Sequence, residues 1–377
     1  MGTVSAGRAE GAGRTLPYTP DYAVPPGETL EEALGELGMS QSEFARRTGR
    51  PEKTVNEIVK GKAAITAETA TQFERVTGIE ARLWLKLEAD YRAALARQSE
   101  REHLLEQVGW LDSFPYRTLV KRELIRDASD PVDRLIEALR FFGVASVEAW
   151  QNLWKESRAA YHHSAAFKSK DLALAAWLRC GEIAAQEIEC APYSRPRFLH
   201  VLRQIRAMTP QKIDAIWDQL VAMCASSGVA LVFTRQLPGT HVSGSTRWLG
   251  SQKAIIQLSM RYLADDQLWF AFFHEGAHIV LHGKRERFLS TDVQEGEPTI
   301  DAEEEASTWA AEFLIPPRDL EGFIQRGKFD NLTIRSFAAS LGIAPGIVVG
   351  QLQHRDILPP NRGNQLKQRY RWTSAEE

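Results

Sequence analysis

Two histidines and one glutamate carry the clearest chemistry in this 377-residue chain: His274-Glu275-Gly276-Ala277-His278. They sit inside an apolar run, Leu268 to His282, with Phe270, Phe273, Val280 and Leu281 around them. A run of this length predicts a buried helix from about Asp265 to His282. Residues four apart share one helix face, so both imidazoles reach a single ion, and tetrahedral Zn2+ suits such a pair. Glu275 stands about 100° round the helix. It is badly placed as a ligand and well placed to polarise a water at the metal. A polar strip on a buried helix needs a partner, and a metal ion provides one. The competing reading is a helix whose core histidines are satisfied by neighbouring hydrogen bonds, and His282, one turn further on, is read in that way.

A zinc site with an open fourth position wants a third protein ligand. Leu281 and Lys284 stand where a metzincin would have glycine and its third histidine, which excludes that class. A second helix is predicted from Asp301 to Leu314, ended by Ile315-Pro316-Pro317 because proline cannot continue the hydrogen-bond ladder. It offers Glu303, Glu304 and Glu305, beside an apolar stripe of Ala302, Ala306, Trp309, Ala310 and Phe313. Measured from Ala306, Glu303 lies about 60° off the stripe, Glu305 about 100° and Glu304 about 160°. Glu304 therefore faces water. Glu303 is the expected third ligand and Glu305 the alternative. Hydrolysis by a metal-activated water is the reaction this set supports, with Glu275 as general base.

A second pattern lies near the N-terminus, between Gln41 and Ile58. Ala45 is the small residue, Gly49 the turn residue tolerant of positive φ, and Val55 and Ile58 a buried aliphatic pair three apart. These are the offsets of a helix-turn-helix. Leu30, Leu34 and Leu37 give a preceding apolar stripe, and Ile65, Ala70, Phe73 and Val76 a covering helix. Capping boxes at Thr29/Glu32 and Ser40/Glu43 mark two helix starts. Between Arg46 and Lys62 six Lys/Arg (46, 47, 50, 53, 60, 62) face only Glu52 and Glu57, a surplus of four. Segment 28–100 as a whole is acidic, with 11 basic and 13 acidic residues. A one-faced surplus of this kind is what phosphate contact requires. Arg50, Lys53, Thr54, Asn56 and Lys60 are the expected DNA-contacting residues on or beside the recognition helix, with Gln41 at the backbone. The amide of Asn56 suits adenine.

Stepping from motifs to the elements that hold them, the chain divides into five stretches. Residues 1–27, rich in Gly, Ala and Pro, read as a flexible arm. The helix-turn-helix domain spans 28–97. A helical middle domain spans 98–205, with Leu119, Leu135, Leu139, Phe141, Phe142 and Trp150 as packing positions and no nameable chemistry. The metal domain spans 206–360: a helix from Pro210 to Ala225, β-type runs Val229–Thr234 and Ala254–Leu258 with glycines between, then the two metal-bearing helices. A polar tail spans 361–377. Residues 337–348 repeat a helix-turn-helix rhythm without basic residues, which reads as packing.

The net charge of −3, 44% apolar and 25% charged residues place the chain among ordinary globular proteins and exclude collagenous or wholly disordered classes. No apolar stretch reaches membrane-spanning length. Three cysteines at wide spacing and no signal-peptide core point to a reducing cytoplasm.

Residues 25–97 resemble the HigA-type antitoxins of the lambda-repressor-like (XRE) helix-turn-helix group. The matching stretches are Pro26-Gly-Glu-Thr-Leu30, Ser40-Gln-Ser-Glu-Phe-Ala45, Val55-Asn-Glu-Ile-Val-Lys-Gly61-Lys, Ile65-Thr-Ala-Glu-Thr-Ala70 and Trp84 to Tyr91. That resemblance implies a homodimer, a palindromic double-stranded DNA operator and a partner toxin. Residues 206–360 resemble the ImmA/IrrE metallopeptidases. The resemblance is carried by Val242-Ser-Gly244, Trp248-Leu, Ile256-Gln-Leu-Ser259, Phe272 to His278, Leu281 to Lys284 and Glu303 to Pro316. It implies a gluzincin-like zinc peptidase with a small antiparallel sheet and a protein substrate. The chain departs from the common family forms at Gly276 and Ser307, the latter standing where a second-sphere carboxamide or carboxylate is usual. The expected fold class is mainly α with a small α+β domain. The expected function is a DNA-binding regulator of antitoxin type, carrying a peptidase that cleaves a partner or its own chain. Two rivals stand beside it. One is a regulator whose metal domain is a sensor or toxin-binding scaffold. The other is a protease with an incidental helical module.

Overall fold

A computed structural model describes residues 24–160, 171–259, 264–282, 288–291 and 301–370. Residues 1–23 of the expected arm, residues 371–377 of the expected tail, and Lys284 lie outside them. Chain contacts divide the protein once, into Met1–Glu106 and Gln107–Glu377. The division falls at 106/107, at neither of the expected boundaries, 97/98 and 205/206.

The first unit is helical: α1 (Pro26–Glu36), α2 (Gln41–Thr48), α3 (Glu52–Val59), α4 (Ala67–Thr77) and α5 (Ala81–Glu106). Ser40 caps α2 by accepting from the Glu43 N–H at 3.2 Å. Thr29 caps nothing. Helix α1 starts earlier, with Pro26 in the first turn, where a missing N–H costs no bond. Gly49 ends α2 at φ 70°, a left-handed conformation that a β-carbon would strain. Leu30, Phe44, Val55, Ile58, Phe73 and Trp84 form the core, each 0–1% exposed. Phe73 packs edge-on against Phe44 at 4.8 Å and against Trp84 at 5.6 Å. Burying each such side chain contributes about 1.5–3 kcal/mol. Leu37 departs from the expected stripe: it follows the last turn of α1 and is 48% exposed.

The second unit opens with a 3-10 turn (Val108–Ser113), then α6 (Tyr116–Lys121), α7 (Pro131–Phe142), α8 (Val147–Ala160), α9 (Asp171–Gln186), α10 (Arg195–Met208) and α11 (Ile213–Ser226). Strands β1 (Val229–Phe233), β2 (Val242–Trp248) and β3 (Ala254–Leu258) follow. Then come α12 (Asp265–Leu281), β4 (Phe288–Thr291), α13 (Asp301–Leu314), α14 (Pro317–Gln325), α15 (Asn331–Leu341) and α16 (Pro345–His354). The four strands form one sheet in the order β1-β3-β2-β4. The expected antiparallel sheet is mixed: β1 and β3 run parallel, while β2 runs antiparallel to both β3 and β4. Strand β2 lies between the two β-type runs, where the sequence was read only for its glycines, Gly244 among them.

The sheet is covered on both faces, so β1 and β3 are buried along almost all their length and apolar at every position but Gln257. Val229, Leu231, Ile256 and Leu258 face a core shared with α12. Ala230, Val232 and Ile255 pack instead with Ala185 of α9. The indole of Trp177 on α9 donates to the Thr234 carbonyl at 2.9 Å. Gln257 on β3 donates to the Trp177 carbonyl at 2.7 Å, and buried Arg247 on β2 donates to Gln257 and to the Leu178 carbonyl. Helix α9, which falls in the expected middle domain, is thus one layer of the metal unit.

Helices α15 and α16 meet at 111° around Gly342, whose φ is 66°. The angle is helix-turn-helix-like, but Ile347, Val348, Val349 and Leu352 bury α16 in the core, as the absence of basic residues predicted. Of the expected tail, Leu366 to Gln368 and Tyr370 are fastened to the second unit. Asp265 N–H donates to the Gln368 carbonyl at 2.9 Å, Lys367 pairs with Asp266 at 2.6 Å, and Leu366 and Tyr370 are buried. Among the described residues no single helix is long and apolar enough to cross a membrane.

Candidate functional site

Helix α12 runs through the centre of the second unit and is buried along most of its length, including His274, Glu275 and His278. Arg195 of α10 donates to the Val280 carbonyl at 2.9 Å and fixes its C-terminal end. Gly276 lets α10 approach, since a β-carbon there would press on Leu202. Helix α13 lies along α12 through Ala306 and Ala310, both fully buried, and small residues permit that proximity.

The packing brings three ligand atoms together. His274 Nε2 lies 3.1 Å from Glu303 Oε2, and His278 Nε2 lies 3.0 Å from His274 Nε2 and 3.4 Å from Glu303 Oε1. All converging atoms lie within 4.8 Å of one another. Tetrahedral ligands about 2.0–2.1 Å from a zinc ion stand roughly 3.3 Å apart, so two imidazole nitrogens and one carboxylate at these separations fit Zn2+. Glu303 is 28% exposed at its side chain, leaving the cluster open on one side. Glu304 is exposed, as its helical position predicted. Glu305 stands away from the cluster, 4.0 Å from His282 Nδ1. His282 Nε2 lies 3.2 Å from the Ala302 carbonyl, as expected of a core histidine with a local partner.

The electrostatics favour positive charge at this point. Burial opposes ionisation of Glu303, but hydrogen bonds from His274 and His278 outweigh it and hold its carboxyl well below the usual range. Burial also opposes protonation of His274, yet the Glu303 hydrogen bond and the charges of Glu275 and Glu303 shift it upward. Burial dominates at His278 and lowers it to about 4, keeping that imidazole neutral as a ligand must be. Ser307 Oγ lies 3.2 Å from His274 Nδ1, so the serine that departs from the family form still touches the outer nitrogen and can fix the ring.

Glu275 is fully buried and is not among the converging ligand atoms. Its carboxylate lies against β2: Thr246 Oγ1 is 2.6 Å from Glu275 Oε2 and 3.0 Å from the Glu275 carbonyl. Sequence reasoning missed Thr246, because no spacing rule links it to a helix 29 residues on.

In the first unit, α3 presents the expected recognition residues. The Lys53 side chain is 87% exposed, with Glu57 a loose 3.8 Å away. Lys60 is exposed at the end of α3, and Thr54 and Asn56 are half-buried. Gln41 donates to Glu31 at 3.1 Å. Arg50 flanks α3, as expected, and is also engaged within the unit. Its Nε donates to Gln72 at 2.6 Å, Glu68 lies 3.6 Å off, and its side chain is only 20% exposed. It ties the turn to α4.

Comparison with known proteins places both halves. Residues 30–84 match the helix-turn-helix family and residues 225–345 the IrrE N-terminal-like domain of the M78 peptidases. An uncharacterized HTH-type transcriptional regulator, YddM of Escherichia coli (strain K12), is 35% identical over 74 residues, 20% of this chain and 79% of that one. Virulence-associated protein I of Dichelobacter nodosus is 35% identical over 80 residues, 21% of this chain and 74% of that one. Among solved structures, the Pseudomonas aeruginosa antitoxin HigA with the higBA promoter is 30% identical, covering 22% of this chain and 90% of that one at a TM-score of 0.21. A HigA-family addiction module antidote protein of Coxiella burnetii is 30% identical, covering 22% and 92% at a TM-score of 0.21. The chain belongs to the XRE-type helix-turn-helix transcriptional regulators. Behind that DNA-binding domain it carries an IrrE/ImmA-like domain of the peptidase type.

Proposed function

We propose that the protein is a homodimeric antitoxin-type regulator, binding a palindromic operator through α3, whose second unit is a zinc-dependent endopeptidase acting on a protein partner or on its own chain. The observation that carries the enzymatic half is the convergence of His274, His278 and Glu303 beside a buried glutamate that is not a ligand. His274, His278 and Glu303 would hold Zn2+, which when bound supplies Lewis acidity toward a peptide carbonyl. Glu275 takes a proton from the attacking water and returns it to the leaving amine. Burial removes competing solvent from that carboxylate and strengthens its interactions. Lys53, Lys60 and Gln41 contact phosphates, Thr54 and Asn56 reach base edges, and Arg50 supports the turn.

Metal content after purification without chelators is the first test. About one zinc per chain, lost in His278→Ala, supports the site; a metal-free wild type removes it. Intact mass of wild type and Glu275→Gln, incubated with Zn2+ and the chain's own upstream DNA, tests self-cleavage. Equal survival of both rules it out. A gel shift on the same DNA, weakened in Lys53→Ala with the fold retained, tests the DNA half; no shift at low salt leaves only a protease with a helical module.

A further inference from the structure

Beyond the three converging ligands, strand β2 meets the Glu275 side chain at two residues, Thr246 and Gly244. The Thr246 hydroxyl has one proton and two acceptors within reach, the Glu275 carboxylate at 2.6 Å and the Glu275 carbonyl at 3.0 Å. The short distance and the charge on the carboxylate make it the stronger acceptor. Two residues back along β2, on the same face because side chains alternate, stands Gly244. A β-carbon there would overlap Glu275 Oε1. One oxygen is thus held by a hydroxyl and the other lies in the space a missing side chain leaves. Register fixes the pair: Gly244 faces Leu258 and Thr246 faces Ile256 on β3, so neither can shift without moving the sheet.

We infer that Thr246 is a positioning residue for Glu275, with Gly244 providing the clearance, so that β2 and not α12 sets where the general base points. A glutamate has three rotatable side-chain bonds and several rotamers open to it on a helix. Held in this way, its carboxylate stays off the ligand cluster one residue away and keeps a single orientation. The inference rests on the reading of Glu275 as a base, and the test separates the two.

The full chain is prepared as wild type, Thr246→Val, Thr246→Ser, Gly244→Ala, Glu275→Ala and the double variant Thr246→Val/Glu275→Ala. The first measurement is thermal unfolding without metal. Thr246→Val is expected to lower Tm in the Glu275 background and to do so much less in the Glu275→Ala background, with Thr246→Ser close to wild type. Additive losses overturn the contact. The second is the visible d–d spectrum of the Co2+-loaded protein. Release of the carboxylate changes the charge and hydrogen bonding beside the ion, so Thr246→Val and Gly244→Ala are expected to change the band shape while Thr246→Ser does not. An unchanged spectrum in Thr246→Val, with coupling present, overturns positioning and leaves a packing role. If wild type takes up no Co2+ or Zn2+, the metal reading fails and positioning at a metal fails with it, while the thermal cycle still decides the contact. If cleavage is observed, Thr246→Val is expected to lose roughly ten- to a hundred-fold in rate, as second-sphere changes typically do.

Discussion

Asp265, the first residue of the helix that bears His274 and His278, makes the stability of the second unit fall as pH rises. It is fully buried. Its Oδ1 accepts from the Asp266 N–H at 2.9 Å, and its Oδ2 has no hydrogen-bond partner among the described residues. The groups facing it are Asp266 on α12, Tyr370, and Lys367 on the C-terminal segment, which is already paired with Asp266. Burial is the largest influence, ahead of the favourable backbone hydrogen bonds and of Lys367, and it lifts the carboxyl from 3.8 to about 7. The folded state therefore holds this proton more tightly than the unfolded chain does. The neutral acid costs nothing below pH about 4; as pH rises toward 7 the folded form resists ionisation, and the penalty then levels off. At about 1.4 kcal/mol per unit, a shift of about three units amounts to roughly 4 kcal/mol above pH 7. In a unit of this size 1 kcal/mol moves Tm by about 2 °C, so the full effect is about 8 °C. Asp265→Asn keeps the shape and removes the charge. Thermal unfolding of wild type and Asp265→Asn, followed by circular dichroism at pH 5, 6, 7 and 8, should give midpoints that diverge in favour of the variant as pH increases. Parallel curves, or a variant that loses ground at high pH, would refute the reasoning, since they would mean the carboxylate is ionised and stabilising inside the fold.

Further outcomes follow from the same geometry. Lys53→Ala should weaken binding to any duplex alike and flatten the log K against log salt slope by about 0.9 per chain, read by fluorescence anisotropy; Asn56→Ala should instead reduce discrimination between operator and scrambled DNA by about 1–3 kcal/mol. Arg50→Ala should lower Tm of the first unit rather than only the salt slope, because its guanidinium is committed to Gln72 and Glu68. Glu303→Gln should lower zinc affinity measured against a competing chelator, and Glu305→Gln should leave it unchanged, because only Glu303 converges with the histidines. Gly49→Val should destabilise the first unit by at least about 1 kcal/mol, seen in urea unfolding, since φ 70° is forced on a β-branched residue.

The two motifs were legible in sequence because each is local. The i, i+4 spacing of His274 and His278 fixes their shared face whatever surrounds the helix. Glu304 was separable from Glu303 and Glu305, and Glu303 preferred to Glu305, because an apolar stripe sets the helix's rotation against its neighbour. Ala45, Gly49, Val55 and Ile58 likewise lie within one supersecondary unit, and Gly49 takes the positive φ its position demanded. The Thr29 capping box misled because Pro26 offers an earlier start that needs no side-chain cap.

What sequence could not supply were the contacts that close over distance. Strand β2 is polar and glycine-containing, and only pairing with β3 and β4 makes it a strand. The hold of Thr246 on Glu275, the layer that α9 adds to the sheet, and the fastening of Lys367 to Asp266 all join residues far apart along the chain. The tie of Arg50 to α4 depends on where Gln72 and Glu68 come to rest. Side-chain type and spacing determined which groups could do chemistry, because helical periodicity is a property of the chain alone. Tertiary packing decided which of them meet, how each is oriented and which proton each keeps, because burial and neighbouring charge exist only once the chain has folded.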